Sequence, residues 1–292
     1  MKNTNILKKI ILTLSFLLFI ITCSMFCIYH YFYYSTIPYY EQKLHQMVVT
    51  RADNINTFLN NQEENALRLA QETALINILK NNKSKPDQTT ATLLDAHKTT
   101  MGFKNKFLID TTGTILLSTT KNNLAGTTIN QQLYKNSSLN QSYERASMTL
   151  TNDFSSFNFN DVLNEPALFI TIPILDEKKF IATLTYQLDQ NQIYLIAHQY
   201  IGLQKTGEVV LACKDHDYIV FVAPTRHDQD LAFKKRLIST DNPIVIQKSI
   251  LGQEGYGTGI DYQGNSIVGA WQFIPKLDWG MVIKINHDEI VA

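Results

Sequence analysis

The sequence predicts an α+β chain: a transmembrane helix, a long N-terminal helix, and two tandem modules, each an antiparallel sheet flanked by helices. Three observations carry this. The run Ile10–Tyr29 holds no charged residue. Apolar residues then recur at three- and four-residue steps from Tyr39 to Leu79, the mark of an amphipathic helix. A strand–turn–strand pattern begins at Phe107 and again at Val209, an offset of 102 residues. The pattern Ile-Pro-x-Leu-Asp, at Ile172 and at Ile274, repeats at the same offset, as a duplicated unit would.

The first element is an anchor. About 20 apolar residues cross the hydrocarbon core of a bilayer as a helix. Lys2, Lys8 and Lys9 precede the run and keep residues 1–9 in the cytoplasm. Tyr29, Tyr31, Phe32, Tyr33 and Tyr34 follow it, and amphipathic rings favour the headgroup layer. A cleaved signal peptide needs a shorter apolar core and a small-x-small cleavage site, and neither is present. Thr22 stands where a lipoprotein signal at Cys23 would need a smaller residue. Residues 10–34 therefore read as an uncleaved span of the cell inner membrane, with everything after residue 35 on its extracytoplasmic, periplasmic side.

Composition narrows the function. Lys+Arg and Asp+Glu each number 26, so the chain lacks the basic excess that tracks phosphates, and nucleic acid is not an expected partner. The three cysteines make no disulfide framework, and Cys213, in an apolar run, reads as a buried small hydrophobe.

After the anchor, Pro38 is expected to break the aromatic segment, and residues 35–80 form a long stalk helix. Its apolar stripe exceeds the needs of one small domain, which predicts a parallel homodimer. A polar stretch with Pro86 ends it, and a short helix is expected over 87–100. Residues 81–188 make the membrane-distal module: a hairpin over 107–118, a strand over 146–154, then strands over 168–173 and 180–188. A polar helix over 189–200 opens the membrane-proximal module, residues 189–292. There a hairpin covers 209–222, residues 255–261 read as a turn, and strands cover 267–273 and 279–285.

The second half carries recognisable motifs. Gly202-x-x-x-Thr206-Gly207-Glu208-x-x-Leu211, Pro224-x-Arg226, and Gly252-x-x-Gly255 followed by Tyr262-x-Gly264 and Ala270-Trp271 resemble the membrane-proximal half of double Cache domains. Trp279-Gly280 with Lys284 and Glu289 resembles the ending of that half. The first half matches more loosely, at Pro173 and over 180–188. The resemblance implies two PAS-like Cache modules in the extracytoplasmic sensor of a receptor. Its effector would be a histidine kinase, chemotaxis transducer, cyclase or phosphatase lying beyond a second membrane helix. It implies binding of a small molecule in the distal module, without a cofactor and without catalysis. The matched residues are scaffold: glycines for tight turns and tryptophans to seal a small sheet onto its helices.

No catalytic or metal motif is present. Asp215, His216 and Asp217 lie in a hairpin turn, where Asp serves turn geometry. The ligand is expected against the distal stretch Phe154, Phe157 and Phe159, an aromatic wall. Arg145, Asp153 and Asp161 are the polar groups that orient it, with Ser118 and Thr171 completing the site. Amino-acid-sensing members of the family carry an R-x-W-Y cluster that is missing near Asn152–Asp161, and an amino-acid ligand is therefore disfavoured. A ligand-free structural or protein-interaction module stays open as the alternative.

Overall fold

A computed structural model describes residues 2–81, 103–121, 124–130, 134–161, 163–241 and 244–291. Helix α1 (Lys2–Ala70) is 69 residues long, on the order of 100 Å at about 1.5 Å per residue. Its first part is the one helical stretch among the described residues long and apolar enough to cross a membrane, and none of that window is buried in the protein. Pro38 lies inside α1 and does not break it, contrary to the expectation. A proline removes one intrahelical bond at a cost of about 3 kcal/mol. The apolar run before it and the core-facing stripe after it both demand a helix, and together they outweigh that loss. The stalk instead breaks at Gln71–Glu72, and α2 (Thr73–Asn81) follows. The helix expected over 87–100 lies outside the described residues.

The stripe of α1 is as expected: Leu44, Val48, Ile55, Leu59, Ala66 and Leu69 are all buried. Two antiparallel sheets cover it. The first has strands β1 (Phe103–Asp110), β2 (Ile115–Ser118), β3 (Asp153–Phe154), β6 (Phe169–Asp176) and β7 (Lys179–Leu188), in the order β2-β1-β7-β6-β3. The short pair β4 (Asn158–Asn160) and β5 (Glu165–Ala167) stands beside it. The second has β8 (Glu208–Asp215), β9 (Tyr218–Phe221), β10 (Lys235–Leu237), β11 (Gly255–Ile260), β12 (Ser266–Ile274) and β13 (Trp279–Asn286), in the order β10-β9-β8-β13-β12-β11. Stripped of β10, the two orders are the same: the last hairpin of the module lies in the middle, with the first hairpin on one side and, on the other, an edge strand that falls between the two hairpins in the chain.

Each sheet is a filling between two helical layers. Side chains alternate along a strand, so Val209 and Leu211 reach the core shared with α1, while Val210 and Ala212 reach the opposite core. That opposite core is closed by α3 (Ser138–Thr149) in the first module and by α5 (Val245–Ile250) in the second. Between the modules, α4 (Gln190–Ala197) is capped by the Asp189 side chain and packs on α1. The short α6 (His287–Val291) ends the described chain.

Two expectations fail locally. The strand expected over 146–154 begins instead as the last turn of α3, which runs to Thr149. Ser137 caps α3 by accepting the Asn140 N–H at 3.2 Å, and Leu150 ends the helix in a left-handed conformation. Buried Leu139, Tyr143 and Ala146 repeat at helical steps, and only Asp153–Phe154 remain strand. Residues 255–260 are not a turn but the edge strand β11, paired with β12 along its length. Its glycines read as turn residues, but they serve close packing: a Cβ on Gly255 would lie 3.3 Å from the Trp271 ring.

Candidate functional site

The distal module holds a pocket of about 400 Å³ beside the start of β1, lined by Lys104, Asn105, Thr120, Lys121, Leu124, Leu163 and Glu165. A bulge builds it. Phe103 pairs with Leu188 and Asn105 with Gln187, so Lys104 is an extra residue in β1. Bulges re-aim side chains in this way. The Lys104 ammonium reaches Glu165 Oε2 at 3.2 Å. Glu165 Oε1 accepts from Gln187 Nε2 at 2.7 Å, and Gln187 Oε1 accepts from Asn105 Nδ2 at 2.6 Å. Gln187 is wholly buried, so the chain of bonds forms a stiff floor. Lys121 adds an exposed cation at the rim.

A larger cleft, about 680 Å³, opens where the two modules meet. From the first module it takes part of α3 and residues 152–158; from the second, residues 213–216 and 275–279. Phe157 is buried between Phe233 and Trp279, with ring centroids 5.5 Å away in each case. Arg145 and Asp153 close on each other through two bonds, Nε to Oδ1 at 2.7 Å and Nη2 to Oδ2 at 2.8 Å. The Asp153 bond holds the guanidinium pKa above its ordinary value. Lys276 is bound to Glu63 of α1 and lies 5.2 Å over the Phe154 ring. Burial pushes the Cys213 thiol up to about 11.

The residues expected in one site are thus divided. Arg145, Asp153, Phe154 and Phe157 come together at the module junction. Thr171 is wholly buried under α3, accepting from Ser142 Oγ at 2.8 Å. Ser118 Oγ lies 2.6 Å from Thr120, a wall residue of the distal pocket. Phe159 and Asp161 are exposed and line neither cavity. Reading the sequence missed Lys104, Asn105, Lys121, Glu165 and Gln187. A polar Lys-Asn-Lys run at the head of an apolar strand was a signal for the first two.

In the proximal module the face under α5 is filled. Lys284, Glu208 and Asp261 are buried together. The Lys284 ammonium bonds Asp261 Oδ2 at 2.8 Å and Asn286 Oδ1 at 3.1 Å. It also lies 3.1 Å from Glu208 Oε1, a charge contact rather than an aligned hydrogen bond.

Comparison with known proteins places this architecture. Residues 35–292 match the Cache domain family. The ligand-binding domain of Mlp24 with asparagine superposes with a TM-score of 0.61 at 14% identity, over 88% of this chain and 95% of that one. The ligand-binding domain of the Pseudomonas aeruginosa PAO1 amino acid chemoreceptor PctB, in complex with L-Arg, gives 0.60 at 18%, over 85% and 96%. The sensor domain of the V. cholerae histidine kinase DctB gives 0.57 at 9%, over 85% and 98%. No curated protein matches the chain in sequence. The asparagine and L-Arg complexes overturn the expectation that amino acids are disfavoured. That expectation rested on a missing R-x-W-Y cluster, yet the distal pocket carries charges of both signs from other positions.

Proposed function

Because the chain belongs to the Cache domain family over residues 35–292, we propose that this portion is the ligand-sensing domain of a signalling receptor. The N-terminal helix anchors it, and the sensor lies outside the cell inner membrane, on its periplasmic face. Sensing, not catalysis, is its task. The ligand binds in the distal pocket and is a small zwitterion of the amino-acid class. The observation that carries this is the Lys104–Glu165–Gln187 network. Glu165 offers a carboxylate to a ligand ammonium, and Lys104 and Lys121 offer cations to a ligand carboxylate. Few, fixed polar groups in a concave site are how small ligands are oriented.

The route inward starts at β7, whose Gln187 belongs to the pocket floor and which leads directly into α4. Arg51 of α1 grips the end of that helix, donating to the carbonyls of Ala197, at 3.2 Å, and of Gln199. A shift of β7 on binding is thereby handed to the helix that enters the membrane.

The test is a thermal-shift screen of the twenty amino acids on the full chain in detergent micelles. A ligand that binds the folded state raises its melting temperature by mass action. Lys104→Met and Glu165→Gln should each weaken the hit about tenfold, or about 1.4 kcal/mol, the scale of one hydrogen bond to a charged group at a half-exposed site. A screen without a shift, or a shift indifferent to both substitutions, refutes the assignment.

A further inference from the structure

We propose that the cleft between the modules is a second ligand site, for a small zwitterion with an apolar body. This goes beyond the distal reading and does not depend on it. Four observations converge on the cleft. First, its volume, about 680 Å³, suits a ligand larger than the distal pocket admits. Second, its inner wall is aromatic: Phe154, Phe157 and the Trp279 indole. Third, Trp279 is wholly buried and its indole N–H has no acceptor among the described residues. A buried donor left unpaired is unfavourable, and a ligand acceptor would satisfy it. Fourth, the charges along the walls are mostly spent. Arg145 is closed on Asp153, Lys276 on Glu63, and Asp215 on Lys235. Lys214 and Asp278 are the exceptions: both are exposed, and neither side chain makes a hydrogen bond or ion pair among the described residues.

These features define the ligand. Asp278 takes an ammonium and Lys214 a carboxylate, while a small opening of the wall over the buried Trp279 brings its N–H to a ligand oxygen. The apolar body covers Phe154 and Phe157. Such a ligand touches both modules, so its binding favours one arrangement of the junction over others.

The chain has two tryptophans, so its indole N–H signals are easily resolved. The full chain, labelled with ¹⁵N-tryptophan in detergent micelles, is titrated with L-phenylalanine, L-leucine and the dipeptide Gly-Phe. Trp271→Phe identifies the Trp279 signal. At least one probe should move that signal downfield and saturably, and Asp278→Asn and Lys214→Met should each raise the Kd at least fivefold. Both substitutions are at exposed positions, and Asn tolerates the left-handed conformation of residue 278. No saturable movement with any of the three probes at about 20 mM, well above a millimolar Kd, overturns the proposal. A movement lost in Glu165→Gln but kept in both cleft variants also overturns it, by placing the probe in the distal pocket.

Discussion

Lys284 shows how one side chain can hold a module's interior together. It is an ammonium buried with two carboxylates, Glu208 and Asp261. Removing one partner of such a cluster leaves uncompensated buried charge. Lys284→Met should destabilise the fold by about 3–5 kcal/mol, read as a drop in the urea midpoint; a change below about 1 kcal/mol would contradict the role of the cluster. The same cluster predicts a pH dependence. Burial alone would raise the Asp261 pKa. The Lys284 hydrogen bond and the Asn265 backbone N–H outweigh burial and hold the carboxyl below its ordinary range. Its stabilising effect is therefore complete above about pH 4 to 5, where the unfolded carboxyl is already ionised, and fades as pH falls through the depressed folded value. The melting-temperature gap between the native chain and Asp261→Asn should be flat near neutral pH and should shrink under acid. A gap that widens instead would show that the carboxyl stabilises the fold in its protonated form.

At the scale of elements, the edge strand β11 is the clearest case of geometry dictating residue type. Gly255 and Gly257 have φ of 154° and 149°, a region that side chains rarely adopt. The Trp271 ring lies on them, with Lys248 4.5 Å over its face. A Cβ at residue 255 would press the ring at 3.3 Å. Gly255→Val should therefore cost about 1–3 kcal/mol through backbone strain and displacement of the indole. A chemical denaturation series on the full chain measures it, and a neutral result would mean that β11 relaxes freely. The hairpin between β6 and β7 needs no glycine. Glu177 and Lys178 both take positive φ, 46° and 72°, as a two-residue turn between twisted strands requires.

At the scale of the molecule, one helix and one aromatic cluster help hold the two sheets together. α1 runs under both, and Phe157 of the first module packs at a tilt against Phe233 and Trp279 of the second. Deleting a buried phenylalanine side chain typically costs about 3–5 kcal/mol. Phe157→Ala should show that loss, and the loss should be focused: hydrogen exchange should speed up at the start of β13 and over 152–158 before it does so in β7 or β12. A uniform increase across both sheets would mean that Phe157 supports the fold at large and not the junction.

The anchor, the two sheets and their hairpins were legible in the sequence because each depends on neighbours close along the chain. A charge-free run, alternation over a strand and a polar turn are local patterns, and the stripe from Leu44 to Leu69 required only the helical period. The match to the motifs at Gly202–Leu211 and Trp279–Lys284 rests on the same local regularity. The segment 146–154 was misread because the helix that reaches Thr149 is held by the fit of Tyr143 against Asp110, a residue brought in by folding; the Tyr143 hydroxyl bonds the Asp110 carbonyl at 2.9 Å. The Ser137 cap, three residues from Asn140, was a local signal that went unread. The distal pocket was hidden for a similar reason. A one-residue bulge at Lys104 sends its ammonium to Glu165, 61 positions away, and no period announces it. The division of the expected site residues between the junction, the α3 interface and the surface was likewise settled by packing. Lys276 and Glu63 lie 213 positions apart and meet only because α1 passes beneath both sheets. Sequence alone determined the apolar span, the stripe of the long helix and the hairpins of both sheets, since those follow from local propensity and periodicity. Tertiary structure decided which charges neutralise one another and which remain free for a ligand, because that depends on distances that exist only once the chain has closed on itself.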